Sequence, residues 1–209
     1  MYICSIEALG SWIFLFEAIE FENYIDYFLF IQGLLQFLAV SVFIYFSSKR
    51  YNLSITIATS IKWFVLAFLL GILFVYFQTP LKSIYNWLFG TAYQIDYLYD
   101  GFPKFKNINL IASILLIPVG EELFFRGYIQ NKLQREFKPP ISIFVTAVLF
   151  ALIHSPYLNL ILEFSNEDWH LFYLTFFGGI ISGILFFKSK SIGSSIVFHV
   201  FWNTMVTIV

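Results

Sequence analysis

Six polar side chains stand in apolar surroundings in the second half of this sequence. Glu121, Glu122 and Arg126 lie in Pro118-Val119-Gly120-Glu121-Glu122-Leu123-Phe124-Phe125-Arg126-Gly127, His154 in Phe150-Ala151-Leu152-Ile153-His154, and His199 and Asn203 in His199-Val200-Phe201-Trp202-Asn203. Ionisable groups in such settings are costly, face a protein interior or a water-filled cavity, and need a reason. Helical spacing sorts them. Glu122 and Arg126 are four residues apart, share a face and can form an ion pair. Glu121 lies about 100° round the helix from Glu122, free to meet another neighbour and activate a water molecule. His199 and Asn203 are also four apart and can donate two hydrogen bonds to one oxyanion.

Each fragment has a plainer role as well. A Glu-Glu pair can cap or neutralise a helix end, a buried histidine can bond a backbone carbonyl, and Asn203 can glue two helices together. The concentration of all six in apolar helices within the last hundred residues favours a shared chemical site. Two Glu and two His would also suit zinc, with Glu121, His154 and His199 as ligands, but the His-Glu-x-x-His helix of common zinc peptidases is absent. The reading taken is a site with no cofactor and no metal.

The elements that must carry these groups are membrane helices. The chain has 209 residues, 59% hydrophobic and 12% charged, where soluble domains carry about 25% charged residues. With 28 Phe and 22% aromatics, one water-soluble core could not hide the apolar surface. Net charge is −1, which suggests neither a nucleic-acid partner nor a polybasic anchor. The lone cysteine, Cys4, excludes an internal disulfide framework. The first 26 residues hold Glu7, Glu17, Glu20, Glu22 and Asp26 but no Lys or Arg, unlike a cleavable signal peptide.

Stretches near 27–46, 61–78, 108–129, 141–162, 171–187 and 192–209 approach the length needed to span a bilayer, the last two being short. The expected fold is all-α, a polytopic transmembrane helical bundle of about six spans, with an interfacial or re-entrant N-terminal helix over Ala8 to Ile19. Thr79 to Asn107, with Pro80, Gly90, Gly101 and Pro103, reads as a loop carrying a short interfacial helix. This gives an N-terminal membrane region, 1–107, with two spans, and a C-terminal core, 108–209, with four. Lys49, Arg50, Lys62, Lys132, Arg135, Lys138, Lys188 and Lys190 all fall in odd-numbered loops, which the positive-inside rule makes cytoplasmic. At about 1.5 Å per residue, Glu121 and His199 each lie about 10 Å from that side and His154 about 20 Å. His154 must therefore be reached by tilt or by a later start of its span.

At these residues the chain resembles the CPBP family of intramembrane glutamic proteases, which includes type II CAAX prenyl endopeptidases and Abi bacteriocin-immunity proteins. Glu121, Glu122 and Arg126 fit its Glu-Glu-x-x-x-Arg motif, Phe150 and His154 its Phe-x-x-x-His, and His199 and Asn203 its His-x-x-x-Asn/Asp; Gly178, Gly179 and Gly183 look like its small-residue helix. The resemblance implies that Glu121 and His154 activate water while His199 and Asn203 form an oxyanion hole, with Glu122 and Arg126 in support. It also implies an endopeptidase acting on a membrane-anchored protein or peptide in the lipid bilayer, in a prokaryotic cytoplasmic membrane. The chain is shorter than the prenyl endopeptidases, which puts prenylated substrates in doubt. A non-catalytic immunity or scaffolding protein and a proton-linked transporter are the competing readings. No inverted repeat supports the transporter.

Overall fold

A computed structural model describes residues 25–92, 108–154 and 169–208 of the chain. The described residues form helices with no strand. We label them α1 (Ile25–Tyr51), α2 (Ile61–Phe89), α3 (Ile108–Leu133), α4 (Pro139–Leu152), α5 (His170–Ser189) and α6 (Ile192–Ile208). Four helices are long and apolar enough to cross a membrane: α1 over Phe30–Tyr51, then α2, α3 and α5. The protein is an integral membrane helical bundle. The Ala8 to Ile19 segment lies outside the described residues.

Burial confirms which solvent the outer surface meets. Leu35 is 61% exposed, Phe46 64%, Leu73 57% and Trp87 81%, more apolar surface than a soluble monomer presents to water. Lipid is the compatible surroundings. The interior holds Ala67, Phe74 and Val75 of α2 against Phe198 and Trp202 of α6, with Phe125 of α3, Phe150 of α4 and Leu174 of α5 completing the cluster.

Several expected boundaries move. The second helix runs on through Pro80 to Phe89, across residues expected to form a loop. Proline removes one backbone donor and crowds the preceding turn, but neighbouring helices and hydroxyl side chains make it tolerable in a membrane span, and Ser83 Oγ donates to Thr79 O at 3.1 Å beside it. The helix ends at Gly90, whose φ of 65° is a left-handed cap. Helix α5 is also longer than expected, with 20 residues. The short helices are α4, with 14, and α6, with 17.

The basic ends of the helices are tied together. Arg135 donates through both terminal nitrogens to Tyr51 O and Asn52 O, each at 2.6 Å, and Asn131 Nδ2 to Ser54 O at 3.0 Å. Ile192 N donates to Thr56 O at 2.8 Å, and Ser191 Oγ reaches Thr56 O and Ile57 O. The extended link between α1 and α2 is thus strapped across the end of α3 and the start of α6. A side chain at Gly193 would collide with Ile57 O, so this crossing requires glycine.

Candidate active site

Helix α3 is irregular where it matters. Two stretches, Ala112–Leu116 and Leu123–Gln130, have the wider π-helical turn with i→i+5 hydrogen bonds, separated by the α-helical Ile117–Glu122. Such widened turns are uncommon and often sit at functional sites. The first ends at a proline. Ile117 N donates to Ala112 O; the next nitrogen in that register belongs to Pro118, which has no hydrogen to give. Ser113 O is left without that backbone donor, and Asn203 Nδ2 of α6 supplies one at 2.9 Å. Asn203 therefore fastens α6 to the proline break in α3.

One turn further along α3, Glu121 and Glu122 straddle the His199 imidazole. Glu122 Oε1 lies 3.0 Å from Nδ1, and Glu121 Oε2 lies 3.8 Å from Nε2. The sequence reading sent Glu121 to a different neighbour from Glu122, whereas both carboxylates address opposite edges of one ring. Being consecutive, they diverge by about 100°, which is what lets them flank a ring inserted between them.

The two carboxylates have unequal surroundings. Glu122 is fully buried, its Oε1 accepting from Arg126 Nη1 at 3.1 Å and from His199 Nδ1, and its Oε2 from Ser182 Oγ at 2.8 Å. Arg126 also donates from Nη2 to Gly179 O at 3.0 Å, and its guanidinium lies 4.7 Å from the centre of the Phe150 ring. Ion pair, carbonyl and aromatic face offset much of the cost of a guanidinium with no solvent access, although its Nε makes no hydrogen bond. By contrast Glu121 Oε2 and His199 Nε2 are buried with no hydrogen-bond partner, as is Asn203 Oδ1. In native proteins buried polar atoms are nearly always paired, and these three retain hydrogen-bonding capacity that Glu122 has already used.

Hydrogen bonding sets the histidine tautomers. A carboxylate only accepts, so His199 Nδ1 carries the hydrogen given to Glu122, leaving Nε2 toward Glu121. His154 Nδ1, 2.8 Å from Phe150 O, likewise carries its hydrogen, leaving Nε2 as the basic atom. His154 joins the cluster through Phe150, whose ring is 4.8 Å from that of His154 and 5.6 Å from that of His199. Since α4 begins at Pro139, the depth offset is not closed by a later start. A methyl at Gly179 would come within 3.1 Å of the Ala147 Cα, so a larger residue there would push α4 and α5 apart by a few tenths of an ångström.

The structure thus brings Glu121, Glu122, Arg126, Phe150 and His199 into one contact network, adjoined by His154 and by Asn203 one turn beyond His199. Among the described residues no three His, Cys, Asp or Glu form a group that could hold a metal ion. Sequence reasoning missed Ser182 and the Gly179 carbonyl, both on α5. The small-residue run Gly178 to Gly183 was their only trace. It also missed Trp202, whose indole packs against Gly178 and whose ring centre is 5.5 Å from that of His199.

Fold and site together define a polytopic membrane protein with a carboxylate–histidine centre buried among its helices. Residues 103–205 match the family model for the type II CAAX prenyl endopeptidase Rce1-like proteins. The chain belongs to this CAAX-protease (CPBP) family, a family of membrane proteases, and the matched region includes every residue of the site. No curated protein and no solved structure matches it.

Proposed function

We propose that the protein is a metal-independent intramembrane endopeptidase that hydrolyses a peptide bond of a membrane-associated protein or peptide precursor, with Glu121 as the general base. One observation carries this reading: Glu122 is saturated by three donors while Glu121 Oε2 and His199 Nε2 face each other without partners.

A water between Glu121 and the basic Nε2 of His154 loses a proton to the Glu121 carboxylate as its oxygen attacks the scissile carbonyl carbon. The carbonyl π electrons move to oxygen, and the resulting oxyanion accepts from His199 and Asn203. His199 donates there from Nε2 once that nitrogen has taken up the ring's second proton, and Glu122 then balances the charge at Nδ1, much as a buried carboxylate does in a serine-protease triad. Asn203 donates its second amide hydrogen, the first being held by Ser113 O. Collapse of the intermediate breaks the C–N bond, and the proton on Glu121 passes to the leaving amine. Arg126 and Ser182 act through Glu122 and are positioning residues.

The test is comparative proteomics of membrane and secreted fractions from cells carrying wild type or Glu121→Gln, scored for new peptide termini within or beside transmembrane segments. Termini that depend on Glu121 support proteolysis and identify the substrate. Identical termini with a stably inserted variant would overturn it in favour of a non-catalytic immunity or scaffolding protein.

A further inference from the structure

At the basic end of the bundle, three cations converge on one tyrosine. Lys132 Nζ lies 4.7 Å from the centre of the Tyr51 ring and 5.8 Å from that of Tyr128, and Arg50 Cζ lies 5.6 Å from the Tyr51 ring. Arg135 reaches the same residue through its hydrogen bonds to Tyr51 O and Asn52 O. Arg50 and Lys132 are thereby held within about 10 Å of each other, close to the Debye length of physiological salt. Like charges at that separation repel. Among the described residues none of the three is in an ion pair, since the carboxylates that form any are Glu121 and Glu122 in the buried centre. Glu136, next to Arg135 in sequence, is exposed and makes none.

The surface beneath these cations changes character in steps. On α3, Phe124, Tyr128 and Lys132 succeed one another four residues apart, and on α1 Phe43 lies seven residues before Arg50, so each helix presents an apolar group inward and a cation at its end. The stripes meet. Phe43 packs on Tyr128 with ring centres 4.9 Å apart and on Phe124 at 5.9 Å, while Tyr51 and Tyr128 lie 6.2 Å apart. Phe43 is 41% exposed and Phe46 64%. Cation, tyrosine and exposed phenylalanine in this order match the phosphate, interface and acyl region of a lipid.

We propose that Arg50, Lys132 and Arg135 bind the phosphate of an acidic phospholipid whose acyl chain lies along Phe43 and Phe124. Charge complementarity selects an acidic lipid over a zwitterionic one, because a net negative headgroup offsets three cations that have no ion pair among the described residues. The bound lipid bridges α1 to the end of α3, the helix that bears Glu121 and Glu122. It therefore clamps the site-bearing helix from outside the reaction, and this inference does not rest on the proposed catalysis.

The test uses the full chain in nanodiscs of phosphatidylcholine alone or with phosphatidylglycerol, read as thermal unfolding. Acidic lipid should raise the melting temperature of wild type by about 4 °C or more, the shift expected when a ligand binds the folded state. Inorganic phosphate at equal concentration should not. Arg50→Gln with Lys132→Gln should abolish the acidic-lipid shift while melting like wild type in phosphatidylcholine. Lys62→Gln with Lys188→Gln, exposed charges at the same end, should retain it. A shift that survives Arg50→Gln/Lys132→Gln, or falls equally in both double variants, would show general surface charge and overturn the site. Lipid analysis of protein purified in mild detergent gives a second readout, with acidic phospholipid retained by wild type and lost from Arg50→Gln/Lys132→Gln. Equal retention would also overturn the proposal.

Discussion

Helix α6 is held on its two sides by different means. Toward α2 it presents Phe198, Phe201 and Trp202, packed on Phe74 and Phe68 with ring centres 4.5 to 5.8 Å apart. Toward α3 it presents His199 and Asn203, each fixed by a hydrogen bond to a named atom. In a membrane the first kind of contact gains little from leaving lipid, which is as apolar as the side chains, so it depends on fit. The second depends on pairing, because a polar atom left alone there has nothing to replace its partner. Shape therefore places α6, and polar pairing sets what its buried histidine can do.

Substitutions on the two sides separate these contributions. The largest stability loss is expected from Arg126→Ala, which strands Glu122 as an uncompensated buried charge and should cost about 3 to 5 kcal/mol, measured by thermal or denaturant unfolding in a fixed detergent. Phe74→Ala, on the apolar side, should cost about 3 kcal/mol through the cavity it leaves, yet keep hydrolysis per folded molecule within about twofold of wild type. A large loss of rate there would break the division between the two sides. Ser182→Ala removes one donor to Glu122 and should cost about 1.5 to 3 kcal/mol as a charged hydrogen bond. Asn203→Ala should cost about 1 to 3 kcal/mol by orphaning Ser113 O. Pro118→Ala restores a backbone donor, so it should recover about 1 kcal/mol in the Asn203→Ala background and less in wild type. If Pro118→Ala acts equally in both, the pairing of Asn203 with the proline break is wrong.

Much of the site was legible because helical spacing is local. Glu122 with Arg126 and His199 with Asn203 share faces by periodicity alone, and the carboxylate–arginine pair forms as that spacing requires. The basic residues also mark one end of the bundle, as their alternation implies. What stayed hidden is tertiary. That Glu122 turns to His199 depends on α6 inserting beside α3, and Ser182 and the Gly179 carbonyl enter from α5, where no polar motif announces them. Proline misled in one place and was silent in another. Pro80 reads as a break although α2 continues through it, whereas Pro118, inside an apparently regular span, goes with the π-helical turn that Asn203 repairs.

The unequal state of two neighbouring carboxylates is the centre of this account, and the initial rate of peptide hydrolysis by purified Glu121→Gln, at matched folded protein, tests it most directly. The predicted result is a rate lowered by at least about 10²-fold with an unfolding temperature equal to wild type. A Glu121→Gln protein that folds equally well and cleaves at the wild-type rate would contradict it.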